Sequence, residues 1–305
     1  MLDFSNSKIL IVGDVMLDKY YFGKVDRISP EAPVPIVNIQ KEESRLGGAS
    51  NVANNIVSLG GHSLLCGVIG HDLFGKEIER ISRHKNIDTF LLKTSSPTIT
   101  KARIIGGKQQ IVRVDYEDKS ELNADNKKLF RDTISRILPE YDILVISDYG
   151  KGLISEDLCR YLIKLAHKYD KKVIIDPKGK NWEKYSGADI VTPNVKELSD
   201  IVGYTVPNTD RAIEKAAREA ITNNHLTALL VTRSDKGMSL IGPIPPIHIP
   251  THSEEVFDVS GAGDTVVATL GLCLAAGFEI SEAMRTANIA AGIVVKKVGT
   301  ATLTI

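Results

Sequence analysis

The sequence predicts an α/β protein with a doubly wound, mostly parallel sheet that is flanked by helices and carries a small β-sheet lid. Short, near-continuous apolar runs recur along the chain, helical patterns separate most of them, and two β-rich segments lack a helix between their strands. Continuous apolarity indicates strands that are buried on both faces, as in a parallel sheet between two helical layers. The 305 residues, 43% of them hydrophobic, are expected to form a single domain over 1–305.

Six apolar runs are expected to form the parallel strands. They are KILIVG (8–13), SLLCGVIG (63–70), DILVISD (142–148), KVIIDP (172–177), ADIVTP (188–193) and TALLVT (227–232). Helical patterns separate them, such as NVANNIVSLG, EDLCRYLIKLAHKY and DRAIEKAAREAITNN. This alternation indicates βαβ units. Two further apolar helices, rich in Ala and Gly, are expected within 261–277 and 281–299.

Two segments interrupt this alternation and are expected to form the lid. Residues 20–40 and 97–117 read as strands without an intervening helix, and the second is a hairpin with Gly106 and Gly107 at its turn. A small sheet built from them would cover the carboxyl ends of the parallel strands, where open α/β sheets bind their ligands.

Composition excludes several classes of function. The 38 Lys and Arg residues balance 38 Asp and Glu residues, which argues against a nucleic acid as the main partner. The N-terminus lacks the features of a signal peptide and no apolar run is as long as a membrane span, so we expect a cytoplasmic protein without a membrane partner. The three cysteines lack metal-ligand spacing and predict buried thiols, and the seven histidines form no HExxH zinc motif.

The stretch DVSGAGDT (258–265) suggests phosphoryl chemistry. Gly261, Ala262 and Gly263 would present bare N–H groups at a helix start, where they stabilise negative charge on a transferred phosphoryl group. A carboxylate beside such a cradle would repel phosphate, so Asp264 is interpreted as a base that takes a proton from an attacking hydroxyl. The alternative is that Asp264 is a helix-start residue favoured by the helix dipole.

Two N-terminal stretches offer groups for a polyol. In LGGASN (46–51), Gly47 and Gly48 precede a helix whose first turn carries Asn51, whose amide can both donate to and accept from hydroxyls. Asp14 follows the first strand and can accept from paired hydroxyls, or it can be an ordinary turn residue.

Two stretches suit a nucleotide with its metal. Asn194 and Glu197 in TPNVKE are three residues apart and share a helix face, which suits a water-shelled Mg²⁺. The alternative is a helix-capping pair. The stretch VTRSDKG (231–237) ends a strand with hydroxyl groups and Gly237, which is typical of the edge of a nucleotide pocket.

GGASN, NVKE and DVSGAGD, in this order across essentially the whole chain, resemble the motifs of PfkB-type (ribokinase-like) sugar kinases. The chain departs from the usual DTxGAGD loop at Val259, which replaces a Thr. This loses one hydroxyl and leaves the backbone cradle and Asp264 in place. The resemblance implies a ribokinase-like fold that uses ATP and Mg²⁺, and it leaves open whether a monovalent cation is also needed.

A closer resemblance is carried by DRISPEAPVPIV (26–37), TKARIIGGKQQIVRVD (100–115) and SDYGKG (147–152). These look like the kinase domain of heptose-7-phosphate kinases, which act in ADP-heptose and lipopolysaccharide-core precursor synthesis. That domain is often fused to a C-terminal adenylyltransferase, and no GxFDxxHxGH-like signature occurs in this sequence. The chain therefore resembles either the stand-alone kinase or the isolated kinase half.

The resemblance implies an ATP-dependent kinase that converts D-glycero-β-D-manno-heptose 7-phosphate to the 1,7-bisphosphate and dimerises through its lid. Asp264 would be the base for the anomeric hydroxyl and Gly261 to Gly263 the anion hole, while Asp14, Gly48 and Asn51 would hold the sugar. The residues implied for the nucleotide are Asn194, Val195, Lys196, Glu197, Thr232, Ser234, Gly237 and Asn288. Glu197 would hold Mg²⁺ through water.

A phosphate on the substrate requires fixed cations, which the lid hairpin offers. Lys101 and Arg103 share one strand face. Arg113 joins that face only if the loop around Gly106 and Gly107 has an odd number of residues. Lys151 and Lys178 are candidates from the sheet side. The alternative for each is a solvated charge.

Three other functions are weighed against this interpretation. A PfkB-type kinase for another sugar or sugar phosphate would show the same motifs. A non-catalytic sensor on the same fold would be expected to lack Asp264. A dinucleotide-dependent dehydrogenase would carry GxGxxG after the first strand, and VGDVML does not.

Overall fold

Two β-sheets organise the molecule in the computed structural model, which describes residues 3–251, 258–296 and 302–303. The larger sheet contains, with strands numbered in chain order, β1 (Lys8–Gly13), β4 (His62–Gly70), β5 (Asp88–Thr94), β8 (Ile143–Ser147), β9 (Lys172–Asp176), β10 (Ile190–Val191), β11 (Ala228–Thr232), β12 (Met238–Ile241) and β13 (Ile247–Ile249). Their order across the sheet is β13-β12-β11-β10-β9-β8-β1-β4-β5. At one edge, β12 pairs antiparallel with both β11 and β13, and the other pairs are parallel.

Helices cover both faces of this sheet. They are α1 (Ala49–Ser58), α2 (Leu73–His84), α3 (Ala124–Ile137), α4 (Glu156–Lys168), α5 (Val195–Val202), α6 (Asp210–Asn224), α7 (Ala262–Ala275) and α8 (Ile280–Val294). Helices α1, α2, α7 and α8 contribute to one core, and α3 to α6 contribute to the other. In β1, Ile9 and Ile11 belong to the first core while Leu10 and Val12 belong to the second. This double burial explains why the strand is continuously apolar and confirms the doubly wound class.

The predicted parallel strands and helices all form, with one notable difference in length. Strand β10 has only two residues, Ile190 and Val191, where a run over 188–193 was expected. Pro193 has no N–H group to donate, and Asn194 already caps helix α5. The last predicted helix, 281–299, corresponds to α8, and its positions 297–299 lie outside the described residues.

The smaller sheet is formed by the two segments predicted to make the lid. Its strands are β2 (Val15–Ile28), β3 (Pro35–Gly48), β6 (Thr100–Gly106) and β7 (Gln109–Tyr116), in the order β3-β2-β6-β7. The predicted position of the hairpin turn is wrong by one residue. Gly106 still pairs with Gln109, so the turn consists of Gly107 and Lys108, and Gly107 adopts the left-handed φ of 64° that favours glycine.

A β-bulge in β7 decides where Arg113 points. Ile104 pairs with Val112 and Ile105 with Gln110, so Ile111 is the extra residue, and Arg113 lies directly opposite Arg103. Residues that pair directly across antiparallel strands share a face. Arg113 therefore joins Lys101 and Arg103. The expectation that this required an odd-numbered loop is wrong, because the turn has two residues and the additional residue lies in the strand.

Further expectations concern the cysteines and membrane association. Cys66, Cys159 and Cys273 are buried and form no disulfide, as predicted. Among the helices that the structure describes, none has the length and apolarity to cross a membrane.

Candidate active site

The carboxylate of Asp264 lies at the centre of the candidate site, where the first turn of α7 meets the carboxyl ends of the parallel strands. Its side chain is buried, and the residue is 4% exposed. The Asn51 amide donates to Oδ2 at 2.7 Å and the Tyr149 hydroxyl donates to Oδ1 at 2.8 Å. Both oxygens are therefore held by donors from elements distant in sequence.

A polar seam between α1 and α7 fixes this arrangement. Asn55 lies one turn after Asn51 in α1, and Thr265 directly follows Asp264 in α7. The Thr265 hydroxyl donates to Oδ1 of Asn55 at 3.1 Å. The Asn55 amide in turn donates to the backbone carbonyl of Asn51 at 2.9 Å. These side chains are almost fully buried, so each needs the partner it has.

Burial controls the ionisation of Asp264. Loss of solvent raises the pKa of the Asp264 carboxyl to about 6, although the hydrogen bonds from Asn51 and Tyr149 oppose the rise. The nearby charge of Asp18 raises this pKa further and that of Lys101 lowers it. A carboxylate with such a pKa is ionised at neutral pH and is a stronger base than an exposed aspartate.

The start of α7 supplies a cradle that differs in part from the prediction. Gly261 is the N-cap and has a left-handed φ of 79°. The N–H group of Ala262 donates to the Val259 carbonyl at 3.2 Å, so it is not bare as expected. Within the described part of the chain, the N–H groups of Gly261 and Gly263 have no hydrogen-bond partner. They belong to the start of α7, and helix starts stabilise anions.

The glycine pair before α1 is required by the protein's own packing. Gly48 has a φ of 55°, and a Cβ atom there would lie 2.6 Å from the carbonyl oxygen of Asp14. A Cβ atom on Gly47 would lie 2.4 Å from Oδ2 of Asp18. The space beside both glycines is thus filled by β2 and its approach, and whether Gly48 also contacts a sugar stays a prediction.

Asp14 stabilises a loop, a structural role that the sequence did not predict. Its Oδ2 accepts from the backbone N–H groups of Tyr149 and Lys151 at 2.9 and 3.0 Å, so the carboxylate tethers the loop after β8. Its Oδ1 is buried and has no partner among the described residues. Burial, and the charge of Asp148 after it, raise the pKa of Asp14 to about 6. Only Oδ1 is available for the predicted contact with a sugar hydroxyl.

Two cavities flank these carboxylates. One, of about 490 Å³, is lined by polar groups that include the predicted residues Asp14 and Lys151. The other, of about 640 Å³, brings together most of the residues predicted for the nucleotide and part of the α7 cradle. These are Asn194, Val195, Lys196, Thr232, Ser234, Gly237, Asn288, Ala262 and Gly263. Its size suits a small-molecule ligand.

The capping interpretation of Asn194 and Glu197 describes the observed geometry. Asn194 Oδ1 accepts from the Glu197 N–H at 2.8 Å, and Glu197 Oε2 accepts from the Asn194 N–H at 3.1 Å, a complete capping box. The other oxygen of Glu197 is held by Lys178 Nζ at 2.8 Å. Lys178 therefore lies at the start of α5, and its predicted contact with the substrate phosphate from the sheet side stays a prediction. A metal role for Glu197 stays a prediction.

Most of the predicted phosphate-reading cations have acidic partners. Arg103 pairs with Asp18 at 2.6 Å, Arg113 with Asp115 at 2.8 Å, and Lys151 with Glu117. Lys101 has no carboxylate partner in the described ranges, and its ammonium group lies 5.5 Å from the centre of the Tyr149 ring. Burial lowers the pKa of Lys101.

Sequence reasoning missed three residues of the site, namely Tyr149, Asp18 and Asp176. Tyr149 lies in SDYGKG and Asp18 lies four residues after Asp14, and no role was predicted for either. Asp176 ends β9, and burial followed by the charges of Asp264 and Glu197 raises its pKa well above the ordinary range. Their position after or near strand ends was the available signal.

Comparisons with known proteins extend over the whole chain. Residues 6–305 match the family described as pfkB family carbohydrate kinase. The chain is 46% identical over 303 residues, 99% of its length, to the Bifunctional protein HldE of Haemophilus influenzae strain PittEE. It spans only 62% of the length of that curated relative.

Solved structures with similar folds agree with this assignment. Phosphofructokinase-2 from Escherichia coli, solved in complex with potassium, aligns with a TM-score of 0.80 at 21% identity, covering 98% of this chain and 95% of that one. Arabidopsis thaliana ribokinase, complexed with ribose and ATP, aligns with a TM-score of 0.74 at 20% identity, covering 97% and 96%. At these identities the likeness shows the fold alone.

Proposed function

The chain belongs to the pfkB family of carbohydrate kinases, and we propose that it transfers the γ-phosphoryl group of ATP to the anomeric hydroxyl of D-glycero-β-D-manno-heptose 7-phosphate. The observation that carries this proposal is the buried Asp264 carboxylate, fixed by Asn51 beside a helix start that also lines the nucleotide cavity. A base and an anion cradle on the same turn of α7 suit in-line transfer to a hydroxyl group.

The chemistry requires little beyond positioning and charge stabilisation. Asp264 takes the proton of the anomeric hydroxyl while the hydroxyl oxygen forms a bond to the γ-phosphorus. The bond between that phosphorus and the bridging oxygen breaks, and this oxygen leaves with ADP. The N–H groups of Gly261 and Gly263 stabilise the negative charge on the phosphoryl group during transfer. The products are the sugar 1,7-bisphosphate and ADP.

The residues near α5 fit a divalent cation held through its water shell. Asp176 and Glu197 lie within electrostatic reach of each other, and burial, followed by the charges of Asp264 and Glu197, raises the pKa of Asp176. Mg²⁺, when bound with the nucleotide, would neutralise phosphate charge there. The described residues contain no cluster of three metal-ligating side chains, in keeping with a cation that keeps most of its waters. Potassium appears in a similarly folded structure, so the assays include it.

The substrate phosphate is assigned to Lys101 and Arg103 on the lid. Lys101 lacks a carboxylate partner among the described residues, and Arg103 uses one guanidinium nitrogen on Asp18. Arg113, by contrast, is exposed, and two of its guanidinium nitrogens are engaged with Asp115. Lys101 is a desolvated cation near the proposed base, and a dianionic phosphate would interact with such a cation most favourably.

The lid also suits a homodimer. The sheet face opposite to Lys101 and Arg103 carries side chains that are 39% to 45% exposed, namely Val25, Ile39, Val112, Val114 and Tyr116. Contiguous exposed apolar surface of this kind is typical of protein–protein contacts. We propose that this face packs against the lid of a second copy.

Replacement of the base tests the mechanism. Asp264→Asn is expected to lower kcat by at least about 100-fold, since the hydroxyl proton loses its acceptor. Nucleotide affinity should stay within about twofold, because removing the charge also removes repulsion with phosphate. An ADP-release assay and nucleotide titration measure both. Asp125→Asn, at an exposed helix start on α3, serves as the control. Turnover of Asp264→Asn within about tenfold of wild type would leave Asp264 as a helix-start residue only.

Substitutions on the lid test substrate recognition. Lys101→Ala and Arg103→Ala are each expected to raise KM for the sugar phosphate by about 10- to 150-fold, as a lost charge-assisted hydrogen bond implies. KM for ATP should hardly change, and Arg113→Ala should behave like wild type. Rates are measured at pH 8, where Asp264 stays ionised, with heptose 7-phosphate, free heptose and hexose phosphates. If both lid variants keep the wild-type preference for the phosphorylated sugar, another element reads the phosphate.

Glu197→Gln separates the metal role from the capping role. Glutamine can still accept from the Asn194 N–H, so the capping box survives and stability should change by less than about 1 kcal/mol. The Mg²⁺ concentration for half-maximal rate should rise, because the charge that orders the water shell is lost. Glu219→Gln, at a partly buried position on α6 whose carboxylate accepts from the Tyr204 hydroxyl at 3.0 Å, is the matched control. An unchanged Mg²⁺ titration would show that Glu197 only caps the helix.

Paired charges on the lid test the dimer. Val112→Asp combined with Val114→Asp should shift the protein from dimer to monomer in sedimentation velocity, because burying two carboxylates in an apolar contact is unfavourable. Leu129→Asp, at a comparably exposed position on α3, should leave the dimer unchanged. A wild-type protein that sediments as a monomer at all concentrations would refute the lid contact.

A further inference from the structure

The hydroxyl group of Tyr149 contacts the base, and the proposed reaction does not yet use it. It donates to Oδ1 of Asp264 at 2.8 Å, on the oxygen that Asn51 leaves unoccupied. Tyr149 belongs neither to the nucleotide cavity nor to the metal region. The Tyr149 hydroxyl is thus a second donor to Asp264 whose role needs an explanation of its own.

Tyr149 is held in place from the core of the protein. Its backbone N–H donates to Oδ2 of Asp14 at 2.9 Å. The next N–H, of Gly150, donates to Oδ1 of Asp148 at 2.7 Å, and Asp148 is itself held by the Tyr185 hydroxyl at 2.6 Å. The backbone of the loop after β8 is therefore held by two buried carboxylates, at the point where the Tyr149 side chain begins.

The lid holds the other side of the ring. The ammonium group of Lys101, on β6, lies 5.5 Å from the ring centre, within range of a cation–π interaction. Tyr149 thus touches the base through its hydroxyl group and the lid through its ring. Tyr149 therefore connects Asp264 with the lid.

In this contact, the Tyr149 hydroxyl is the donor and the Asp264 carboxylate is the acceptor. Burial, and then the charge of Asp264, raise the pKa of the Tyr149 phenol well above its ordinary value, so the phenol keeps its proton and remains a donor. A donor stabilises the ionised form of the carboxylate more than the protonated form. With Asn51 on the other oxygen, it also prevents the carboxylate from rotating, and each oxygen keeps a lone pair for the substrate.

We propose that Tyr149 is a positioning residue that orients the Asp264 carboxylate and keeps it ionised, and that Lys101 holds the Tyr149 ring in place for this task. The inference rests on the proposed function, in which Asp264 is the base. It assigns to the SDYGKG stretch a role in setting the pH range of the reaction.

Several other groups face Asp264 and act on the same ionisation. Asn51 on α1 donates to it and Lys101 on β6 favours its charged form, whereas Asp18 on β2 disfavours that form. Asp176 at the end of β9 is also within electrostatic reach. None of these changes when only the Tyr149 hydroxyl is removed, so a Phe substitution isolates its contribution.

Tyr149→Phe is the test, with kcat/KM measured from pH 5 to 9. In the wild type, the rate should fall as the pH drops through about 6, because protonated Asp264 cannot accept a proton. The variant loses a stabilising donor, so its acid limb should move up by about one pH unit. Its rate should then be about fivefold below wild type at pH 6 and within about threefold at pH 8. Tyr161→Phe, which removes a hydroxyl from α4, should give the wild-type profile.

Direct titration keeps the test independent of turnover. Carboxyl carbon NMR of protein labelled at aspartate, with Asp264 assigned from Asp264→Asn, should show its pKa rise by about one unit in Tyr149→Phe. An Asp264 resonance that titrates as in wild type, or a rate lowered equally at all pH values, would overturn the proposal. Failure of the base assignment is distinguishable, since it appears as an active Asp264→Asn variant whatever Tyr149→Phe does.

Discussion

The hydrogen bond between Asn51 and Asp264 is the interaction on which the arrangement of the site depends. It joins the first turns of α1 and α7, two helices on the same face of the sheet, across 213 residues of sequence. A carboxylate that is 4% exposed needs donors to remain charged, and the donor comes from a helix whose start is fixed by the close approach of Gly48 to Asp14. The end of β1, the glycine pair and Asp264 are therefore held in one continuous arrangement.

Several buried carboxylates lie at the same edge of the sheet, and their negative charges are unfavourable for folding. Burial raises the pKa values of Asp14, Asp176 and Asp264, and the charges of neighbouring carboxylates raise them further, so ionising these groups at neutral pH opposes folding. Such concentrations of perturbed carboxylates are typical of functional sites. Here Asp14 lines the smaller cavity, and Asp264 follows directly on Ala262 and Gly263, which line the larger one.

The sequence predicted what depends on local pattern and missed what depends on tertiary approach. Continuous apolar runs predicted β1 and its neighbours because burial on both faces leaves a direct trace in composition. Asp264 was found because a helix start rich in glycine is a local motif. Tyr149 was missed because its hydroxyl meets Asp264 only when the loop after β8 is tied to Asp14. The bulge at Ile111 was missed because one extra residue in a strand has no compositional signature.

Glu197 illustrates a different limit, because the geometry that caps α5 is also compatible with the proposed role at a metal. The capping box fixes the side chain at the start of α5, and Lys178 fixes its second oxygen, so its carboxylate stands beside the cavity without freedom to move away. The lid acts on Asp264 in a comparable way. Lys101 on β6 favours the ionised form of Asp264, whereas Asp18 on β2, paired with Arg103, opposes it. The lid sheet therefore carries both a cation and a carboxylate that act on Asp264, and their effects on its pKa partly offset each other.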